Sequence, residues 1–476
     1  MALLQSLWLL TVILVHYFIF SPDAEKAFVS PSQNVTCSAQ PCLRLNDYAR
    51  EVNQYFLDNT TFMFLSGVHQ LNIYLRLENI SNVAFFALNE TQGDTVKVFL
   101  SPLVNITWSD CNNIVINGLV FVLSGDSTAG TFFSAIAFQR TTSFLSQLIL
   151  FGNGTMQSTA IWTHSSQVEI SDVMVLGATS IYGAALVAFN STIHFFGYNI
   201  FINNTAAQGG AMVFIQCVSS FSGNVSFINN TAISDARYMY SQGGAIYCSN
   251  SVLSFSGTAL FQHNQATTLA DSILVNVAKG GALQALSGSS LTFKATSNAS
   301  FIENTAIFQG GAVSVSTSEV SIQGRTLFVG NVAGQNGGAI GGDSNSRIYC
   351  SGMTIKFQNN SVVAMGGIGG GIGGASNVEL EETQFEKNAA GTGGAINCYK
   401  GSYLHISTCE FVNNTAFYSA GAVRTGSGTA VIFGGINHFE GNRAPIAGAV
   451  DAYNTCLLYT SPSPRDATLS RMPSSA

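Results

Sequence analysis

The chain has 476 residues, of which 47% are hydrophobic and only 9% charged. It is too apolar to be disordered and long enough for several ordinary domains or one long repeat array. The net charge of −7, from 18 basic and 25 acidic residues spread thinly, leaves no basic stripe and excludes a nucleic-acid-binding surface.

Residues 7–20 form an apolar run, followed by Pro22, Asp23 and the first basic residue, Lys26. Residues 1–24 therefore read as a secretory signal peptide with Ala24 at the cleavage point. Residues 3–20 are also close to the shortest membrane-spanning length, so an uncleaved anchor is the alternative. Asn-x-Ser/Thr sites at Asn34, Asn59, Asn79, Asn89, Asn105, Asn153, Asn190, Asn203, Asn224, Asn229, Asn298, Asn359 and Asn413 fit the secretory route. Glycans there would solubilise a surface poor in charge. Nine cysteines are present, and in a secreted chain they suggest disulfides. Cys37 and Cys42 flank a short turn, and Cys398 and Cys409 flank another; these are the disulfide candidates. No cysteine set has zinc-ligand spacing with histidines, so no metal or other cofactor is expected.

Residues 25–110 read as an N-terminal α/β cap. Leu45, Tyr48, Ala49, Val52, Tyr55 and Phe56 recur at helical period within 43–56, which predicts an amphipathic helix. Strands follow at 61–65 and 71–77. A cap is needed because the open end of a parallel stack is a bare backbone edge. Residues 111–194 read as irregular coils, with strands at 113–121 and 168–176.

From about residue 195 to 455 the chain repeats itself. Phe-x-x-Asn occurs at Phe201/Asn204, Phe227/Asn230, Phe261/Asn264, Phe301/Asn304, Phe328/Asn331, Phe357/Asn360, Phe385/Asn388, Phe411/Asn414 and Phe439/Asn442. Between copies sits Gly-Gly-Ala at Gly209, Gly243, Gly280, Gly310, Gly337 and Gly393, with weaker copies at Ala420 and Ala447. Each unit holds three short strands of period two, which cannot stand alone but can stack coil on coil. The predicted fold is all-β, a single-stranded right-handed parallel β-helix. Phe fills the interior at one height per coil, Asn forms a hydrogen-bonded ladder, and the Gly pair turns a crowded corner.

The alternation of F-x-x-N with G-G-A resembles the repeat of the chlamydial polymorphic outer membrane proteins. The signal-led, sequon-rich form is similar to animal secreted β-helix proteins. The resemblance implies a pectate-lyase-like superhelix and, for the bacterial relatives, adhesion.

Two consecutive gaps between the motif Asn and the next Gly-Gly are long: 13 residues from Asn230 to Gly243 and 16 from Asn264 to Gly280. In a stacked helix both insertions leave one corner on neighbouring coils, about 5 Å apart. They carry Asp235, Arg237, Tyr238, Tyr240, Asp271 and Lys279, which make them the candidate binding loops. The run at 366–375 lacks the Lys-Ser/Thr of a phosphate loop. Even spacing instead assigns its Gly-Gly-Ala slot to Gly366, Gly367 and Ile368. Glu379, Glu381, Glu382 and Glu386 form the densest acidic cluster, read as a solvated outward face. His194, His263, His405 and His438 are isolated and read as structural. Residues 456–476 break with the repeat, resemble a translated sequencing adaptor, and are set aside as a non-native tail, with the real chain continuing past Thr455.

These features point to a non-enzymatic extracellular ectodomain, secreted or on the cell surface, for adhesion or recognition of a protein or glycan. The alternative is a polysaccharide lyase or glycoside hydrolase on the same fold. Membrane attachment through a further C-terminal segment is compatible with both.

Overall fold

The computed structural model describes residues 25–30, 42–50, 58–88, 95–101, 104–123, 133–152, 158–234, 240–269, 278–343 and 345–460. The chain divides into two compact units, Met1–Gln284 and Ala285–Ala476. Each is built of parallel strands whose partners lie one coil away, a right-handed parallel β-helix.

In the first unit a representative coil runs through Met212–Ile215, Val218–Phe221 and Asn224–Ile228. These are the first, second and third faces. The next coil repeats them in register, as Met212↔Ile246, Val218↔Val252 and Phe227↔Phe261. Strands of four or five residues persist because alternate side chains, such as Ser219, Phe221, Val225 and Phe227, point into one shared core.

The parallel stacking begins well before the regular repeat. Glu25–Ser30 pairs with both Cys42–Arg44 and Thr60–Leu65. Thr60–Leu65 in turn pairs with Ser81–Leu88. The helix expected over 43–56 is present as Leu45–Arg50, with residues 51–57 outside the described set. It buries Leu45, Tyr48 and Ala49. The Tyr48 hydroxyl donates to the Phe28 carbonyl at 3.0 Å, and its ring meets Phe62 edge-on at 5.4 Å. The helix is thus docked on the first strands by one aromatic anchor.

In the second unit the repeat is most regular. Phe301, Phe328, Phe357, Phe385, Phe411 and Phe439 stack with centroids 4.6–5.1 Å apart and nearly parallel rings. That spacing is close to the distance between neighbouring strands, so the stack follows from one Phe per coil at one height. Beside it runs the Asn ladder. Asn388 Nδ2 donates to the Phe357 carbonyl at 2.9 Å and to Asn414 Oδ1 at 3.0 Å. Its own Oδ1 accepts from the Asn360 backbone N–H and from Asn360 Nδ2, both at 3.0 Å. The first unit holds a similar series through Asn204, Asn230 and Asn264, with Phe201, Phe227 and Phe261 beside it.

The Gly pair has two separate causes. The first glycine adopts a left-handed backbone, as at Gly337 (φ 60°) and Gly393 (φ 63°). Ala420 (φ 58°) and Ala447 (φ 52°) occupy the same slot in the weaker copies. The second glycine is a matter of space. A Cβ on Gly338 would fall on the Gly370 carbonyl oxygen of the next coil and 2.6 Å from the Ser361 nitrogen.

The structure corrects three expectations. The slot in the 366–375 run is Gly369–Gly371, not Gly366–Ile368: Gly338 N–H donates to Gly369 at 3.0 Å and Ala339 N–H to Gly371 at 3.1 Å. Even spacing failed because the preceding corner carries extra residues, where Gly367 N–H closes a turn on the Ala364 carbonyl. The stack also continues past Thr455, since Cys456–Thr460 pairs in register with Ala430–Gly434. Residues 461–476 lie outside the described set. Finally, Cys398 and Cys409 are free thiols, not a pair. Cys398 stands on the first face opposite Thr425, while Cys409 follows the second face. The extended stretch from Tyr403 to Ser407 between them spans about 13 Å, beyond the reach of a disulfide. Burial pushes their thiols up to about 12 and about 11, so both are chemically quiet. Cys37 lies outside the described residues, so its pairing with Cys42 does too.

Candidate functional site

The two long insertions share one corner of the first unit. The first leaves after Thr231–Ser234 and returns at Ser241–Gln242. The second leaves after Gln265–Thr268 and returns at Ala278–Lys279. The outgoing strands pair from Thr231↔Gln265 to Ser234↔Thr268. The returning strands pair as Ser241↔Ala278 and Gln242↔Lys279. Both insertions therefore begin and end one coil apart on a rigid, hydrogen-bonded base.

Tyr240 is 50% exposed and Leu269 51% exposed at that base. Leu269 N–H donates to the Ser234 carbonyl at 3.0 Å, which ties the second loop to the first where both leave the coil. Lys279 sits half-buried in the returning strand. Asp235, Arg237, Tyr238 and Asp271 lie outside the described residues. Gap counting alone locates this corner; no motif marks it.

Four sequons of the regular repeat share one backbone position. Asn203, Asn229, Asn359 and Asn413 each precede a ladder Asn, are exposed, and have φ between 54° and 55°. Thr205, Thr231, Ser361 and Thr415 begin the short strand that follows.

The acidic cluster divides. Glu379 and Glu381 point outward from the second face, on the strand Ile372–Glu386. Glu382 occupies a left-handed turn (φ 52°). Glu386 belongs to the third face, where Lys356 Nζ lies at 2.6 Å and Lys387 Nζ at 3.0 Å. The four acids do not converge on one point, as a pair of glycosidase carboxylates must. Among the described residues no group of three or more His, Cys, Asp and Glu is placed to hold a metal ion.

Lys356 and Lys387 hold the Glu386 carboxyl below the usual carboxylate range. A depressed carboxylate stabilises the fold above its unfolded pKa of about 4.3, and the contribution is lost as pH falls through the lower folded value. Glu386→Gln is expected to cost less than about 1 kcal/mol at pH 7, because the ion pairs are near the surface. It should also remove this residue's share of the stability loss below about pH 4, read from urea midpoints across pH. An unchanged pH profile would assign the acid sensitivity elsewhere.

The histidines are dispersed. His194 Nδ1 lies 2.7 Å from Ser220 Oγ, and His438 Nε2 lies 3.1 Å from Glu440. His263 occupies a left-handed turn (φ 53°). His405 faces outward on the second face, in register with Glu379. Sequence reading missed that neighbourhood. Tyr349 also pairs with Glu379, and Arg347 and Tyr403 both pair with Asn377.

The Chlamydia polymorphic membrane protein repeat model matches residues 219–249. That stretch holds Phe227, Asn230 and the Gly243–Ala245 corner, one full turn of motif. That stretch is similar to the family's repeat, and the other coils of 195–455 carry the same Phe-x-x-Asn residues. No curated protein matches it. Solved structures similar to it include a GH87 α-1,3-glucanase catalytic domain in complex with nigerose, at 10% identity, 92% coverage of this chain, 69% of the other and TM-score 0.39. A PL6 alginate lyase in complex with a trisaccharide matches at 11% identity, 90% and 88% coverage and TM-score 0.38. The tailspike of E. coli bacteriophage HK620, in complex with a pentasaccharide, matches at 12% identity, 90% and 78% coverage and TM-score 0.31. Likeness at these scores carries no argument, and the fold rests on the strand register itself. Among the described residues no helix is long and apolar enough to cross a membrane.

Proposed function

We propose that this chain is a non-enzymatic recognition ectodomain, secreted or displayed at a cell surface, that binds an extracellular protein or glycan through the paired insertions of its first unit. The observation that supports this is the shared base: two consecutive insertions leave and return in register, and no other gap from a motif Asn to its glycine slot is as long. Loops held by a rigid frame are the usual seat of binding. The polymorphic-membrane-protein-type repeat supports a surface location, and the sequons and apolar N-terminal run agree with it.

The decisive variant shortens both loops while keeping the paired strands. Residues 235–240 and 269–277 are replaced by short Gly-Ser links, leaving Thr231–Ser234 on Gln265–Thr268. Cell or glycan-array binding by the intact chain should fall to background in this variant, with the unfolding midpoint retained. Undiminished binding would overturn the proposal. Surface loops tolerate such changes at little thermodynamic cost, so loss of binding would not reflect unfolding.

A further inference from the structure

We propose that the outward second face of the second unit, between Glu319 and Ser407, binds a neutral, hydroxyl-rich oligosaccharide laid across the coils. Four consecutive second-face strands bring two columns side by side. One column is Glu319, Arg347, Asn377 and Tyr403; the other is Ser321, Tyr349, Glu379 and His405. Ser351, Glu381 and Ser407 form a third. Neighbours within a column lie about 4.8 Å apart.

The contrast with the third face is informative. There, Lys356, Gln358 and Lys387 are each bonded to Glu386. On the second face, among the described residues, Arg347, Tyr349, Asn377, Glu379, Tyr403 and His405 make no side-chain hydrogen bond or ion pair with the protein. Donors, acceptors and two phenol rings therefore stand in contact range and uncommitted, on rungs fixed by the ladder behind them.

Chemistry selects the occupant. Glu319, Glu379 and Glu381 oppose the single guanidinium of Arg347, so an acidic polymer meets repulsion. The columns offer no exposed aliphatic anchor, which a protein hot spot needs at its centre. Tyrosine rings present apolar faces, while carboxylate, amide and imidazole groups accept and donate to adjacent hydroxyls. Sequons leave the face bare: those between residues 285 and 455 are Asn298, Asn359 and Asn413, on the third strand or the turn after it.

The site is independent of the corner loops and does not rest on their reading. The test uses the full chain on immobilised neutral linear oligomers of glucose, mannose, galactose and N-acetylglucosamine, with uronate and sulfated oligomers alongside. At least one neutral series should bind. Glu379→Gln and Tyr349→Ala should each weaken it by about tenfold, the scale of one or two hydrogen bonds or a lost stacking ring. Tyr403→Phe, which keeps the ring and is structurally mild, should weaken it less than Tyr403→Ala. Glu386→Gln on the third face should bind like the parent. The loop-shortened chain separates the two sites: neutral sugar binding retained there supports this face whatever becomes of the corner. No binding to any neutral oligomer, preference for the acidic ones, or second-face variants that bind like the parent would overturn the proposal. So would capture of a protein partner that is lost in Glu379→Gln and indifferent to neutral sugar.

Discussion

Replacing Asn388 by Ala is expected to lower stability by about 3–6 kcal/mol, among the largest losses from a single substitution in this chain. The side chain is fully buried and bonds in both directions along the stack. Its removal strips the acceptor from the Asn360 backbone N–H and from Asn360 Nδ2, and the Asn388 donor from the Phe357 carbonyl. Each buried group left unmatched costs about 1–3 kcal/mol, and a coupled ladder makes the sum steeper. Asn388→Asp is the sharper test. A carboxylate cannot donate to Phe357 and would sit against Asn414 Oδ1, so it should be at least as destabilising at pH 7. Burial raises its pKa, so part of the loss should be recovered as pH falls and the acid regains a donor. Urea denaturation at pH 7 and pH 4.5 distinguishes this from simple loss of volume. A loss below about 1 kcal/mol for Asn388→Ala would show that the ladder only fills space.

Neither glycine of one corner should tolerate a side chain. Gly338→Ala places a methyl group on the Gly370 carbonyl, with backbone on every side and no flexible side chain to move. It should cost more than about 3 kcal/mol, because relief requires separating two coils. Gly337→Ala meets left-handed strain of about 1–2 kcal/mol and also places its methyl on the Ile340 carbonyl, again against backbone. Ala420 and Ala447 already occupy that conformation in their own coils, so the strain is tolerable. Thermal unfolding should place both variants well below the parent chain. A loss of only about 1–2 kcal/mol for Gly337→Ala would mean that conformation, not space, governs that position.

The fold was legible because each motif residue serves a demand that recurs once per coil. Phe357 and Asn388 are readable at their sites because no neighbouring coil can do without them. Legibility failed where the count between motifs varied. Equal spacing misplaced the slot at Gly369 because a wider corner precedes it. The second-face columns escaped for a related reason. Tyr349 lies 11 residues before its ladder Asn360, while Glu379 lies 9 before Asn388 and His405 9 before Asn414. The strand Arg347–Gln358 shifts register between Ser351 and Ile355, which breaks the constant offset that a sequence scan relies on. The insertion corner was legible because a lengthened gap shows in the count, whereas a bulge inside a strand does not.

The left-handed turn after each motif Phe has a consequence beyond folding. That backbone favours Asn or Gly, the ladder requires Asn next, and the strand that follows favours a β-branched or small hydroxyl residue. The three preferences, read in order, spell an acceptor for N-linked sugar. At Asn203, Asn229, Asn359 and Asn413 the geometry thus favours the glycosylation signal without dictating it, since His263, Glu303 and Lys387 hold the same turn in other coils. Those four sites speak to the shape of the coil before they speak to the compartment in which it folds. Sequons on extended backbone, such as Asn224 and Asn298, are the ones that bear separately on the route the chain takes.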